Sequence, residues 1–344
     1  MGGLELFVYS CFENFKENGE CYIAVAPQKK LDAYFVDDAK VSIKRSKFFP
    51  FIPAYKLARY IDAHKIEILH FHWTRDIATV VMASMFSKTK PKVIQSRHMT
   101  MTRFKDDFYH KWLYKHIDTI HSVTHQVKEQ LERFIPSDIR PKVEVVYPGI
   151  DEIEVDAEVV DMLKNKYETQ GSFVVGIVGR IEEAKGQHIV IDAIGRLKEL
   201  DIKLFIIGHS MDEAYLEKLK IKVDALGLTD RVIFSGFTKN VNEYMSLCDC
   251  NILATTKETF GLVVIEAMAN KSCVIATNSG GPLEIIDDGV DGLLFDRSSE
   301  DLASKIQMLY DDEKLKNSLI DAGYKKVREK FDKDKQLTKL YELL

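Results

Sequence analysis

The sequence predicts an α/β chain of two doubly wound parallel-sheet domains. Three observations carry this prediction. The chain has 344 residues, more than one core comfortably holds. Short apolar runs of strand length alternate with helical stretches in both halves. Many of those runs end in Gly, Arg or His, as expected of loops at the carboxyl ends of parallel strands. The first domain is expected over residues 1–150 and the second over 151–331.

Taken in order, residues 4–16 read as a helix stopped by Asn18-Gly19. Residues 21–26 (CYIAVA) form a short buried strand ended by Pro27. The next strand, 66–71, runs through His72-Trp73-Thr74-Arg75-Asp76 into an apolar helix over 77–86. A strand at 92–95 ends in Ser96-Arg97-His98, and a polar loop with Arg103 and Lys105 follows. Residues 118–123 read as a strand, 126–134 as a helix and 142–146 as a strand. His121 and His125, four apart, would share a helix face, but no acidic third ligand accompanies them and a structural role is preferred. Tyr147-Pro148-Gly149-Ile150-Asp151 and the acidic stretch to 161 mark the interdomain connection.

In the second half, strand 172–178 leads into Gly179-Arg180, with Lys185-Gly186 before a helix from Gln187. Gly179 permits close backbone approach, and Arg180 and Lys185 are fixed-charge donors suited to a pyrophosphate. Strand 203–207 ends at Gly208-His209, and strand 231–235 at Gly236-Phe237-Thr238. Strand 250–254 precedes the stretch Glu258-Thr259-Phe260-Gly261-Leu262. Strand 272–276 precedes Ser279-Gly280-Gly281-Pro282. The tail from about 332 is charged and helical; its Asp332-Lys333-Asp334 reads as a solvated face and not a metal site.

The stretch from Glu258 organises the rest. Residues 262–269 are apolar on nearly every side, so this helix should be buried, yet it contains Glu266. Free N–H groups from Gly261 to Val264 would face the space that Glu258 borders. A phosphate on the helix N-terminus, with two carboxylates to hold hydroxyls, satisfies these groups. The bland alternative is a Glu266 paired with a buried cation and a solvated Glu258.

Glu258 and Glu266 are separated by seven residues, and in this E-x7-E pattern the chain resembles retaining glycosyltransferases of family 4, which have the GT-B fold. The similarity covers nearly the whole chain. It implies two Rossmann-like domains facing a cleft, with a C-terminal helix of about 332–344 crossing back to the first. The second domain would hold a nucleotide-diphospho-sugar donor, and the first a glycan or lipid-linked acceptor. Gly179, Arg180 and Lys185 would grip the diphosphate, the backbone at Phe237 and Thr238 the base, and Glu266 the ribose. The run Glu258, Thr259, Phe260, Gly261 and Leu262 would hold sugar and phosphate. His98, at a strand end of the first domain, would stand by the transferring sugar. Glu258, His98, Arg180 and Lys185 are thus the catalytic candidates, and Arg97, Arg103 and Lys105 those for the acceptor side. No cofactor and no metal are expected. A Gly-Gly loop like Gly2-Gly3 follows the first strand in that family and touches the donor phosphates. Here only Met1 precedes it, so the first-domain sheet is expected to lack that strand or to fill its slot with something else, the natural chain being longer by about a strand.

Bulk properties narrow the classes. With 46% apolar and 29% charged residues the chain is ordinary globular, not disordered. Five cysteines without zinc spacing fit a reducing cytoplasm. The net charge of −5 hides an asymmetry, since residues 1–150 carry 23 Lys and Arg against 17 Asp and Glu. Residues 40–60 hold Lys40, Lys44, Arg45, Lys47, Lys56 and Arg59, no acid, and the aromatics Phe48, Phe49 and Phe51. That pattern suits an anionic membrane surface at the inner face; nucleic acid is a poorer fit, for no binding motif accompanies the charge. Two other classes share the expected fold. A nucleotide-sugar epimerase should bring extra carboxylates at first-domain strand ends, which are not found. A non-catalytic binding module should have lost Glu258, Arg180 or Lys185, and all are present.

Overall fold

A computed structural model describes residues 3–35, 39–44 and 49–344. The chain divides into two compact units, Met1–Gly149 with Lys333–Leu344, and Ile150–Asp332.

The first unit runs α1 (Gly3–Phe15), β1 (Ile23–Val25), β2 (Lys40–Ser42), α2 (Phe51–His64), β3 (Ile68–Phe71), α3 (Ile77–Phe86), β4 (Lys92–Arg97), α4 (Phe108–Tyr114), β5 (Thr119–Ser122), α5 (His125–Phe134) and β6 (Lys142–Val145). Strands β3 to β6 form one parallel sheet in sequence order, while β1 and β2 form a separate parallel pair. The core joins Phe71, Val81, Val93, Ile120 and Leu131. Helix starts follow local chemistry: Asp107 caps α4 by accepting from His110 N at 3.1 Å, and Thr124 caps α5 by accepting from Val127 N at 3.2 Å.

Several expectations change here. Gly3, expected in a phosphate-binding loop, instead opens α1, the helix expected over residues 4–16; Gly2 lies outside the described residues. The basic aromatic stretch after residue 50 folds as α2, burying Ala54, Leu57, Ala58 and Ile61 and exposing Phe51, Ile52 and Tyr55. Arg45, Lys47 and Phe48 lie outside the described residues. His121 and His125 do not share a helix face, because His121 belongs to β5 and His125 opens α5.

The second unit runs α6 (Ala157–Tyr167), β7 (Phe173–Val178), α7 (Gln187–Arg196), β8 (Ile202–Ile207), α8 (Glu213–Ala225), β9 (Val232–Gly236), α9 (Val241–Leu247), β10 (Cys250–Leu253), α10 (Leu262–Ala269), β11 (Cys273–Thr277), α11 (Pro282–Ile285), β12 (Leu293–Phe295), α12 (Ser299–Asp311) and α13 (Glu313–Lys330). The tail helix α14 (Lys333–Tyr341) belongs to the first unit, where Leu337 and Leu340 pack with Cys11, Phe15 and Val146.

The second sheet is parallel, in the order β12-β11-β10-β7-β8-β9. Strand order therefore reverses between β7 and β10. Open α/β sheets bind ligands beyond the carboxyl ends of the strands at such a reversal. The loops leaving those two strands are residues 179–186 and 254–261, so the topology alone singles them out.

Candidate functional site

These two loops are tied together by their backbones. Thr256 N donates to Ala184 O at 3.0 Å, and Thr255 Oγ1 donates to the same oxygen at 3.2 Å. The clasp brings Lys185 to Glu258, Nζ to Oε2 3.4 Å, with both side chains half-buried. Arg180 is exposed and pairs with Glu182 at 2.9 Å. Gly179 N donates to Ile207 O at 2.9 Å, continuing the β7–β8 ladder past the strand end. Next to it, a Cβ on Gly208 would lie 2.0 Å from Gly179 O, so the two strand ends meet only because Gly208 lacks one.

A second glycine contact fixes the Glu258 loop. Gly281 N donates to Glu258 O at 3.0 Å, and a Cβ at Gly281 would fall 2.2 Å from Phe260 O. The sequence showed Gly280-Gly281 only as a loop at a strand end; its contact with residues 258–260 comes from chain segments that are neighbours solely in the fold.

Helix α10 starts at Leu262, after Gly261 at a φ of 105°. Its expected set of open donors shrinks by one, because Val264 N bonds to Gly261 O at 2.9 Å. The N–H groups of Leu262 and Val263 keep no acceptor within the helix, and the helix dipole adds to their attraction for an anion. Val264, Ile265, Ala267 and Met268 are buried, and Glu266 stands half-buried among them. Burial raises the Glu266 pKa, and among the described residues no cation stands beside it to oppose the shift. The buried ion pair considered above as the bland alternative is therefore not what holds it.

The remaining residues of this unit divide by exposure. The Phe260 ring is buried, its centroid 5.7 Å from Phe331, so only its backbone is available to a ligand. Thr259 is half-buried. Phe237 is 74% exposed at the end of β9, beside His209 at a centroid distance of 6.3 Å, an open ring on which a base could stack. Thr238 is half-buried, its Oγ1 accepting from Asn240 N at 3.0 Å.

In the first unit His98 directly follows β4. Its Nε2 lies 3.4 Å from His72 Nδ1, and the Phe7 ring stands edge-on at 4.8 Å. Burial lowers its pKa to about 3, so the ring is neutral at physiological pH. It belongs to a cluster that sequence spacing does not reveal. His70 Nε2 and His121 Nδ1 both lie 2.7 Å from Ser96 Oγ, and His121 Nε2 donates to Val146 O at 2.8 Å. Among the described residues no group of side chains is arranged to hold a metal ion.

Arg97 is buried, correcting its expected place on an acceptor surface. It donates to Met99 O at 2.8 Å, Thr74 Oγ1 at 2.7 Å and Thr100 O at 3.0 Å, bracing the following loop from within. Arg103 remains exposed, and Lys105 is half-buried near His110.

Residues 161–326 match the glycosyl transferases group 1, and residues 1–153 match glycosyltransferase family 4. The chain belongs to these GT-B glycosyltransferases. Its curated relatives include an N-acetyl-alpha-D-glucosaminyl L-malate synthase of Bacillus anthracis, 26% identical over 310 residues, or 86% of this chain and 80% of that one. A human alpha-1,3/1,6-mannosyltransferase is 30% identical over 212 residues, 58% of this chain and 51% of its own. Among solved structures, a glycosyltransferase from Rickettsia africae superposes with a TM-score of 0.90 at 20% identity, covering 99% of this chain and 94% of that one. Anabaena HepE in complex with UDP gives 0.84 at 18% identity, covering 99% and 96%. At such identities the superpositions speak for the GT-B fold of this glycosyltransferase, which the parallel two-unit architecture shares.

Proposed function

We infer that this glycosyltransferase is a retaining enzyme that moves a sugar from a nucleotide-diphospho-sugar to a glycan or lipid-linked acceptor, in the synthesis of a cell-surface polysaccharide or lipopolysaccharide. The observation that carries the reading is the clasp of the two loops at the strand reversal. It places Lys185 and Glu258 together at the end of the sheet where a diphosphate would lie. UDP in HepE, and an N-acetylgalactosaminyltransferase of Campylobacter jejuni acting on a diphospho-undecaprenol, support a nucleotide-sugar donor and a lipid-linked acceptor.

In this reading Arg180, Lys185 and the first turn of α10 stabilise the negative charge that develops on the departing diphosphate. The bond from the anomeric carbon to the phosphate oxygen breaks. The bond to the acceptor oxygen forms on the same face, and the phosphate oxygen takes the acceptor's proton. Glu258 orients the sugar hydroxyls and Glu266 the ribose. Neutral His98 donates or accepts one hydrogen bond at the sugar without bringing charge. No metal or other cofactor is needed for this sequence of events.

We further assign the exposed Phe49, Phe51, Ile52 and Tyr55, beside exposed Lys44, Lys56 and Arg59, to docking on an anionic membrane at its cytoplasmic face. Among the described residues no helix is long and apolar enough to cross a membrane. Incubation with labelled nucleotide-sugars, with and without undecaprenyl-linked or glycan acceptors, tests the reading. Transfer with retained anomeric configuration is expected; an epimerised sugar, or binding without turnover, would replace it with one of the two other classes.

A further inference from the structure

Gln187 opens α7 and is 1% exposed, yet no step of the proposed transfer uses it. Every other buried position of that helix is apolar: Ile189, Val190, Ile191, Ala193 and Ile194. The two ends of the Gln187 amide differ. Nε2 donates to Arg180 O at 2.9 Å, while Oε1 is buried and meets no donor among the described residues. A carbonyl oxygen can only accept, so the contact with Arg180 O fixes which end of the amide is the nitrogen. A buried acceptor without a donor costs at least as much as one neutral hydrogen bond contributes. An apolar side chain of equal size would therefore serve the fold of α7 as well or better.

What the amide does is hold a peptide. The unit joining Arg180 to Ile181 is bonded on both sides: Ile181 N donates to His209 O at 2.9 Å, and Arg180 O receives the Gln187 amide. On the other side of the Arg180 Cα, Gly179 N donates to Ile207 O at 2.9 Å. Together these bonds fix the Arg180 backbone although it lies in a loop. The guanidinium is exposed, and its pair with Glu182 is too open to water to fix its place, so its direction is set from the backbone. The far end of the tie is firm. Gly186 precedes Gln187 at a φ of 78°, and a Cβ there would lie 2.3 Å from Ala254 O, so α7 starts hard against the loop leaving β10.

We propose that Gln187 is a positioning residue for the donor diphosphate. Buried, it touches no substrate; it sets the place of Arg180 by holding the Arg180 carbonyl. The proposal rests on the reading of Arg180 as a diphosphate ligand. A charge-assisted grip depends on where its donors point, so freeing this carbonyl weakens the grip while the guanidinium is still present.

The test uses the full chain and Gln187→Met, which keeps volume and helix propensity and removes the donor. The melting temperature should be unchanged or raised. Hydrogen exchange at the Ile181 amide, which shares the held peptide, should speed up at least fivefold, while β7 and the rest of α7 exchange as before. Nucleoside diphosphate affinity, read by calorimetry with UDP, GDP and ADP, should fall about three- to tenfold. In the Arg180→Ala background, already weakened, Gln187→Met should cost no further affinity, because the group it positions is gone. Unchanged exchange at Ile181 would overturn the proposal. So would losses that add in the double variant, or a melting temperature that falls with the affinity, since the amide would then be a structural group. Failure of the underlying reading shows elsewhere: Arg180→Ala alone would bind nucleoside diphosphates like the wild type, and the proposal would fall with it.

Discussion

Arg180 and Glu266 are opposite cases at the scale of single residues. Arg180 is exposed and its ion pair with Glu182 is half in water. Such a pair contributes little to folding. Removing the guanidinium should therefore leave stability nearly unchanged while costing a charge-assisted grip on the diphosphate. Arg180→Ala is expected to weaken nucleoside diphosphate binding by more than about 1.4 kcal/mol, or tenfold, in calorimetry. Unchanged affinity would remove Arg180 from the site. Glu266 is half-buried with a raised pKa and, among the described residues, no cation nearby. Glu266→Gln keeps its shape and relieves the burial of charge, so the fold should tolerate it. It should weaken ribonucleoside diphosphates much more than their 2′-deoxy forms. Equal losses for both would make Glu266 a structural residue.

At the scale of elements, the Glu258 loop depends on α11 and the turn before it. Gly281→Ala would drive a methyl group into Phe260 O and Cα, at 2.2 and 2.3 Å, so backbone has to move. We expect a loss of roughly 1–3 kcal/mol in stability, as for other overpacked sites. Transfer should drop at least about tenfold because Glu258 moves with the loop. Activity at the wild-type level would show that the loop position is not critical. Helix α2 sets a separate expectation. Its buried face anchors it, leaving Phe51, Ile52 and Tyr55 exposed beside Lys56 and Arg59. Each basic residue near an anionic surface contributes about 1 kcal/mol, screened by salt. Replacing Lys44, Lys56 and Arg59 with Gln should abolish co-sedimentation with phosphatidylglycerol vesicles at physiological salt. Intact binding would make the patch an ordinary solvated face.

At the scale of the whole molecule, the four clustered histidines couple the first unit to pH. His70 and His98 are lowered to about 3 and His121 to about 4, chiefly by burial, and His72 is held well below its ordinary value for the same reason. Their folded values lie below the unfolded value near 6.5, so the unfolded chain binds more protons between the two. Stability is therefore full above about pH 6.5 and falls as the pH drops below it. At pH 5 each imidazole costs up to about 2 kcal/mol. The first unit should unfold on mild acidification before the second, where no comparable cluster occurs among the described residues. Tryptophan fluorescence follows this directly, since Trp73 and Trp112 both lie in the first unit. Simultaneous loss of both units, or no loss by pH 5, would contradict it.

Much of this protein was legible in its sequence because the relevant physics is local. Residues 262–269 are an apolar run after a glycine, and they are helical over that span. Strands at 173–178 and 202–207 differ by a residue at most from the apolar runs that foretold them. Period, turn residues and caps act over a few positions, so they can be read without the fold. The helix α2 escaped because charge and aromatics dominated its reading, although its buried positions 54, 57, 58 and 61 follow helical spacing. Other features have no local signature at all. Lys185 meets Glu258 across 73 positions only because β7 and β10 are neighbours at the strand reversal. Ser96 joins His70 to His121 only because β3, β4 and β5 lie side by side. Gly281 is needed only because Phe260 presses against it. The sequence determined which segments are strands and helices and which residue types stand at their ends; strand order, decided by long-range packing, determined which of those ends meet.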